Sequence, residues 1–263
     1  MTTLAYAVSD STTMLRRSVK RMLRYPSLTL MIVGIPVIFL LLFVYVFGGT
    51  LGAGLGAGSG GRGAYADYVA PGILVMTVAG AAQGTAITVA MDMAEGIVAR
   101  FRTMPIFRPS VLTGHVLGSV IQSVVSLVLV AAVALLVGFR PTATPLEWLA
   151  ALGLLVLITL ALVWLSVALG LVAKTVESAS NLPMPLMLLP FLGSGFVPTS
   201  SMPAGLRWFA EYQPFTPIME TLRGLLMDRP LGNNAWLALA WCAVIALGSY
   251  LWSKRLFNRE YAH

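Results

Sequence analysis

Three features of this sequence predict an all-α membrane protein with six transmembrane helices. Of its 263 residues 58% are apolar and only 10% charged, against roughly 25% charged in an ordinary soluble domain. Six runs, 28–47, 68–91, 111–139, 148–173, 178–206 and 231–253, carry no Asp, Glu, Lys or Arg, and each passes the roughly 18 residues at which a spanning helix is considered. The cations are also lopsided. If the spans alternate, Arg16, Arg17, Lys20, Arg21, Arg24, Arg100, Arg102, Arg108, Lys174, Lys254, Arg255 and Arg259 share one side, and only Arg62, Arg140, Arg207, Arg223 and Arg229 face the other. The positive-inside rule then puts both termini in the cytoplasm. Six spans consume most of the chain, so 1–263 reads as a single membrane domain with no room for a soluble catalytic one.

Taken in order, residues 10–26 predict an interfacial helix. Met14, Leu15, Val19, Met22 and Leu23 recur at helical spacing among arginines suited to anionic membrane lipid or a partner. Pro26 ends it, and the first span follows with a kink expected near Gly34 and Pro36. Residues 48–63 read as an outer loop too rich in glycine to pack. The second span holds Gly80, Gln83, Gly84, Thr85 and Thr88, small or polar residues that suit close helix packing or a wet cavity; Gln122, Ser123 and Ser126 of the third span read the same way. Residues 140–147 are too short for an outer domain, and 174–181 form a second brief cytoplasmic turn. The fifth span carries Pro183, Pro185, Pro190 and Pro198, so breaks are expected, with the freed backbone groups buried against protein or a cavity. Within 199–230, two short outer-face helices are expected at 203–211 and 217–228, each opening on proline at its first position, with Thr216 as a cap. The single cysteine, Cys242, lies in the sixth span and reads as a small apolar filler.

The segment 92–110 stands apart. It sets acids and arginines between runs long enough to cross a bilayer, which makes it a cytoplasmic loop. Asp92 and Glu95 sit where a short helix would start, and Pro105 and Pro109 bound its end. Such a helix on the inner membrane face is a surface that a partner can push; the same composition also serves a solvated turn joining two spans. The net charge of +7 has its cause in the sidedness of the cations, and no folded domain offers a basic groove for nucleic acid. No Lys-Ser or Lys-Thr closes a glycine-rich loop, so ATP, if used, is bound by another polypeptide.

The loop Glu95-Gly96-Ile97-Val98-Ala99-Arg100-Phe101-Arg102-Thr103-Met104-Pro105, followed by Arg108 and Leu112-Thr113-Gly114, resembles the cytoplasmic signature of ATP-binding-cassette type-2 permeases, and RFRTMP is most similar to the daunorubicin-resistance type of drug-efflux permease. A second stretch, Pro190-Phe191-Leu192-Gly193-Ser194-Gly195-Phe196-Val197-Pro198 with Met202-Pro203, Pro214 and Arg223-Gly224-Leu225-Leu226, resembles the family's fifth-span and outer-helix pattern. Two positions depart from it: His115 stands where many relatives carry Arg or Lys, and Leu192-Gly193-Ser194-Gly195 replaces the usual Leu-Ser-Gly.

The resemblance implies a half-transporter of the bacterial plasma membrane that pairs with a second permease chain, identical or homologous, and docks one ATPase subunit carrying ATP and magnesium. No cofactor, metal or catalytic residue is expected in this chain. Glu95, Gly96, Arg100, Phe101, Arg102, Thr103, Met104, Pro105 and Arg108 would carry the ATPase movement into the spans through a coupling helix between spans two and three, and Gln83, Met187 and Phe191 would line the cargo path. The cargo would be amphipathic drugs or lipid-like compounds, with lipid or polysaccharide precursors as the alternative. An ion-coupled transporter is disfavoured because Asp67, Asp92, Glu147 and Glu177 all lie at span ends. An intramembrane serine protease built on Ser194 fails because His115 and His263 are expected on the opposite membrane side.

Overall fold

The structure is a computed structural model that describes residues 24, 26–54, 61–94 and 109–259. Among the described residues every regular element is helical. The first rod comprises α1 (Pro26–Leu41), a π-helical turn (Leu42–Phe47) and α2 (Gly48–Gly54). Then come α3 (Arg62–Ala94), α4 (Pro109–Val137), α5 (Pro145–Val172), α6 (Val176–Asn181), α7 (Met184–Leu188), a 3-10 turn (Thr199–Ser201), α8 (Ala204–Tyr212), α9 (Phe215–Leu226) and α10 (Asn234–Arg259). Among the described residues, five helices are long and apolar enough to cross a membrane: Ile32–Gly54, Arg62–Ala94, Val116–Val137, Pro145–Val172 and Asn234–Leu256. The expected fifth run is no continuous helix. Pro183 caps α7, Pro185 sits in its first turn, and turns occupy the chain around Pro190 until the 3-10 turn after Pro198. Each proline lacks an N–H and biases the residue before it away from helix, which is why the run is divided.

Helix α3 is the hub. Its most apolar window is 72% buried, against 17% for α10, which lies at the edge. Hydrocarbon gives helices no hydrophobic reason to associate, so they associate where small residues let backbones approach. A Cβ on Gly170 of α5 would stand 2.7 Å from the Ala86 carbonyl oxygen of α3, and one on Gly72 of α3 would stand 2.7 Å from that of Gly195. Directions follow from the contacts. Gly84 faces Ile32 and Gly48 faces Arg62, so the first rod runs antiparallel to α3. Thr85 Oγ1 donates to Ser119 Oγ at 2.8 Å, near the start of α4. Ala150 and Gly153 of α5 share a groove with Ala235 and Leu239 of α10. At the other end Trp164 meets Tyr250 edge-on at 5.0 Å, and Ser253 Oγ donates to the Trp164 carbonyl at 3.3 Å. Helices α5 and α10 are therefore parallel.

Several expectations change. The glycine-rich stretch packs in part: α2 continues the first rod, with Gly48 and Gly52 buried, because a side chain at Gly52 would strike the Gly61 carbonyl. The irregularity of the first rod is a π turn beyond Pro36. Asp92 lies buried in the last turn of α3, rather than opening a new helix. The turn at 174–181 contains α6, opened by a reciprocal cap in which Ser178 N donates to Thr175 Oγ1 and Thr175 N to Ser178 Oγ, both at 3.1 Å. Prolines 203 and 214 precede α8 and α9 as caps, and Thr216 lies inside α9. Helix α8 is exposed except for Ala210, whereas α9 is buried along most of its length. Cys242 is fully buried, the filler its surroundings suggest. Ser123 and Ser126 are buried without a hydrogen-bond partner among the described residues.

Candidate functional site

The broken segment runs back along α3. Gln83 Nε2 donates to the Ser180 carbonyl at 2.7 Å, the Met187 methyl lies 3.8 Å from where a Cβ of Gly80 would sit, Gly195 abuts Gly72, and Tyr65 Oη donates to the Phe196 carbonyl at 3.0 Å. All three expected cargo-path residues, Gln83, Met187 and Phe191, lie along this contact. Gln83 is engaged by a backbone carbonyl, and Phe191 by an aromatic wall. Phe191 stacks on Phe196 at 4.3 Å with their planes 6° apart, and these rings meet Phe39 at 5.3 Å and Phe43 at 4.5 Å. Beside the wall is a cavity of about 330 Å³ lined by Thr50, Tyr65, Phe196 and Ser200, among others.

A broken helix buried against protein leaves carbonyls without N–H partners, and each must find a donor. Here side chains supply them. Tyr68 Oη donates to the Ser194 carbonyl at 2.9 Å and Gln213 Nε2 to that of Leu189 at 3.0 Å. Arg223 of α9 donates through Nη2 to the Ser194 carbonyl at 2.9 Å and to the Tyr68 carbonyl at 3.0 Å. Its Nη1 pairs with Glu220 Oε1 at 2.5 Å, and its guanidinium carbon lies 3.9 Å from the centre of the Tyr68 ring. Arg223 is only 3% exposed. A charge so placed persists because two carbonyls, a carboxylate and a ring face replace its water. The glycines of Gly193-Ser194-Gly195 serve this packing: a Cβ on the first would strike the Gln213 and Thr216 side chains, and one on the second would strike the Pro190 carbonyl and Met219. Ser194 Oγ, buried between them, has no hydrogen-bond partner among the described residues.

The arrangement is a clamped joint between α3, the broken segment and α9, and its geometry suits holding and moving backbone. The family model for ABC-2 type transporters matches residues 10–227, closing at the end of α9. The chain belongs to the ABC-2 type transporter family. Over 261 residues it is 31% identical to the daunorubicin resistance ABC transporter permease protein DrrB1 of Streptomyces coeruleorubidus, covering 98% of this chain and 89% of that one. Over 180 residues it is 27% identical to the probable doxorubicin resistance ABC transporter permease protein DrrC of Mycobacterium tuberculosis, covering 63% of each. As an ABC-2 permease it is a membrane transport subunit that works with an ABC ATPase, and ATP hydrolysis lies on that separate subunit.

Of the residues expected to couple to the ATPase, Glu95, Gly96, Arg100, Phe101, Arg102, Thr103, Met104, Pro105 and Arg108 all lie outside the described residues, as does most of the interfacial helix at 10–26. Tyr65, Tyr68 and Gln213 were not among the sequence candidates, and Arg223 appeared there only within the outer-helix motif, with no role at this site. A signal for them existed: four prolines in one apolar run create a demand for donors, and these are hydrogen-bond donors flanking that run and the spans beside it.

Proposed function

We infer that this chain is the membrane half of an ATP-driven exporter of amphipathic drug-like compounds in the bacterial plasma membrane, paired with a second permease chain and embedded among membrane lipids. The roles of its relatives, resistance to daunorubicin and doxorubicin, support that cargo class. The broken segment would complete six crossings. Between Ser180 and Phe196 it follows α3 from Gln83 back to Tyr65, a path of about 27 Å at 1.5 Å per helical residue, close to the roughly 30 Å of bilayer hydrocarbon. The parallel course of α5 and α10 supports such a return. Six crossings, with the distribution of arginines, would put both termini in the cytoplasm.

One observation carries the mechanism: α3 is a single buried helix that links the clamped joint at Tyr68 to Ala94, next to the arginine-bearing loop. Movement of Glu95–Arg108 by the ATPase would displace α3 as a body. ATP shifts the transporter only if the closed ATPase fits one arrangement of the spans better than the other. The aromatic wall beside α3 offers flat apolar surface next to the hydroxyls of Thr50 and Ser200, a lining suited to a cargo with both characters. The test is reconstitution in liposomes with the ABC ATPase that co-purifies, following doxorubicin fluorescence. ATP-dependent uptake into inside-out vesicles is the expected result; uptake driven by an ion gradient without ATP would replace this reading with a secondary transporter.

A further inference from the structure

We propose that Arg223 is a positioning residue for transport, tying the second long helix to the broken segment so that displacement of one reaches the other. The inference rests on the exporter reading above and concerns a residue to which that reading gives no role. The Ser194 carbonyl accepts from both Arg223 Nη2 and Tyr68 Oη, while the same nitrogen of Arg223 also reaches the Tyr68 carbonyl. Arg223, Tyr68 and Ser194 thus form a closed ring of three residues on three elements, α9, α3 and the broken segment. Glu220, one turn earlier on α9 and partly exposed, balances the charge. The Tyr68 ring lies under the guanidinium.

Two features separate this from a pin that merely stabilises the fold. First, position: from Tyr68 to Ala94 the helix spans about 39 Å, so the ring sits at the far end of the element that adjoins the ATPase-facing loop. The other side of the ring is the segment that carries the Phe191 and Phe196 wall. Second, chemistry: the ring joins backbone to backbone through a forked cation. A guanidinium bonds two carbonyls and a carboxylate at once because its donors are fixed in one plane, whereas an ammonium presents a point charge. Gly72 and Gly195 bring the two backbones into contact beside the ring, so no side chain cushions the joint. An apolar residue at 223 would leave the Ser194 carbonyl with Tyr68 as its remaining donor and would free α3 to slide past the segment.

The test measures doxorubicin moved per ATP hydrolysed by the complex of this chain and its ATPase in liposomes, for wild type, Arg223→Gln, Arg223→Lys and Tyr68→Phe. Arg223→Gln is expected to lower the ratio about tenfold while hydrolysis stays within about twofold of wild type. Arg223→Lys recovers part of the loss. Tyr68→Phe keeps the ring beneath the guanidinium and removes one bond; it is expected to lower the ratio about threefold and supplies the readout if Arg223→Gln does not fold. A purely structural role would reduce the yield of folded complex and leave the ratio of the folded fraction unchanged in every variant, and that outcome overturns the proposal alone. Wild-type complex that moves doxorubicin without ATP, or not at all, overturns the exporter reading and this inference together.

Discussion

Gly72→Ala tests how the joint is built. In the structure the new methyl would lie 2.7 Å from the Gly195 carbonyl oxygen, 2.9 Å from its Cα and 3.1 Å from its carbonyl carbon. All three are backbone atoms, so no rotamer change relieves the clash, and the two strands of backbone must part by about 0.5 Å or more to reach ordinary contact. Overpacking of this kind costs about 1–3 kcal/mol. The same displacement stretches the Tyr68 and Arg223 bonds to the Ser194 carbonyl, each now 2.9 Å, and weakening them adds about 1 kcal/mol. The expected total is about 2–4 kcal/mol. The control is Gly80→Ala on the same helix, where the new methyl meets only the Met187 methyl at 3.8 Å and the change should stay within about 0.5 kcal/mol. Reversible unfolding in mixed detergent micelles, following the folded fraction of each variant, reads the difference. Equal stability of Gly72→Ala and Gly80→Ala would refute the claim that backbone contact holds the broken segment to α3.

Further outcomes follow from single bonds. Tyr65→Phe removes the hydroxyl that donates to the Phe196 carbonyl at 3.0 Å and should cost about 1–3 kcal/mol in the same unfolding assay, because the carbonyl is left buried. Thr144→Ala removes the cap of α5, in which Thr144 N and Oγ1 donate to Glu147 Oε2 at 2.6 and 2.8 Å and Thr144 Oγ1 accepts from Glu147 N. A loss of about 1 kcal/mol is expected there, with transport per ATP unchanged. Gly138 has φ of +122°, so Gly138→Ala should cost about 1–2 kcal/mol in the unfolding assay although a side chain there meets open space.

The long helices were legible because charge-free runs of spanning length leave the backbone no alternative in lipid. The division of the fifth run was legible for the same reason in reverse, since Pro183, Pro185, Pro190 and Pro198 cannot share one helix. Helix α9 was legible only in outline. The helix expected over 217–228 forms as Phe215–Leu226, but its polar side also faces inward, because the carbonyls of Tyr68 and Ser194 solvate Arg223 as water would. Periodicity cannot report that, since it counts polar residues and not the unpaired groups waiting for them. The packing of 48–54 was hidden because glycine's low helix propensity argues against a helix, whereas its lack of a side chain is what lets Gly52 touch Gly61. Asp92 was displaced by two or three residues of boundary, the usual uncertainty of a helix end.

In the proposed mechanism residues 95–108 receive the ATPase movement and α3 carries it. The direct measurement is ATP hydrolysis and doxorubicin uptake by the reconstituted complex carrying Phe101→Ala with Arg102→Ala. The double change is expected to release the ATPase from the permease or to leave hydrolysis running while uptake falls at least about tenfold. Uptake per ATP at the wild-type value, with the ATPase still bound, would contradict it.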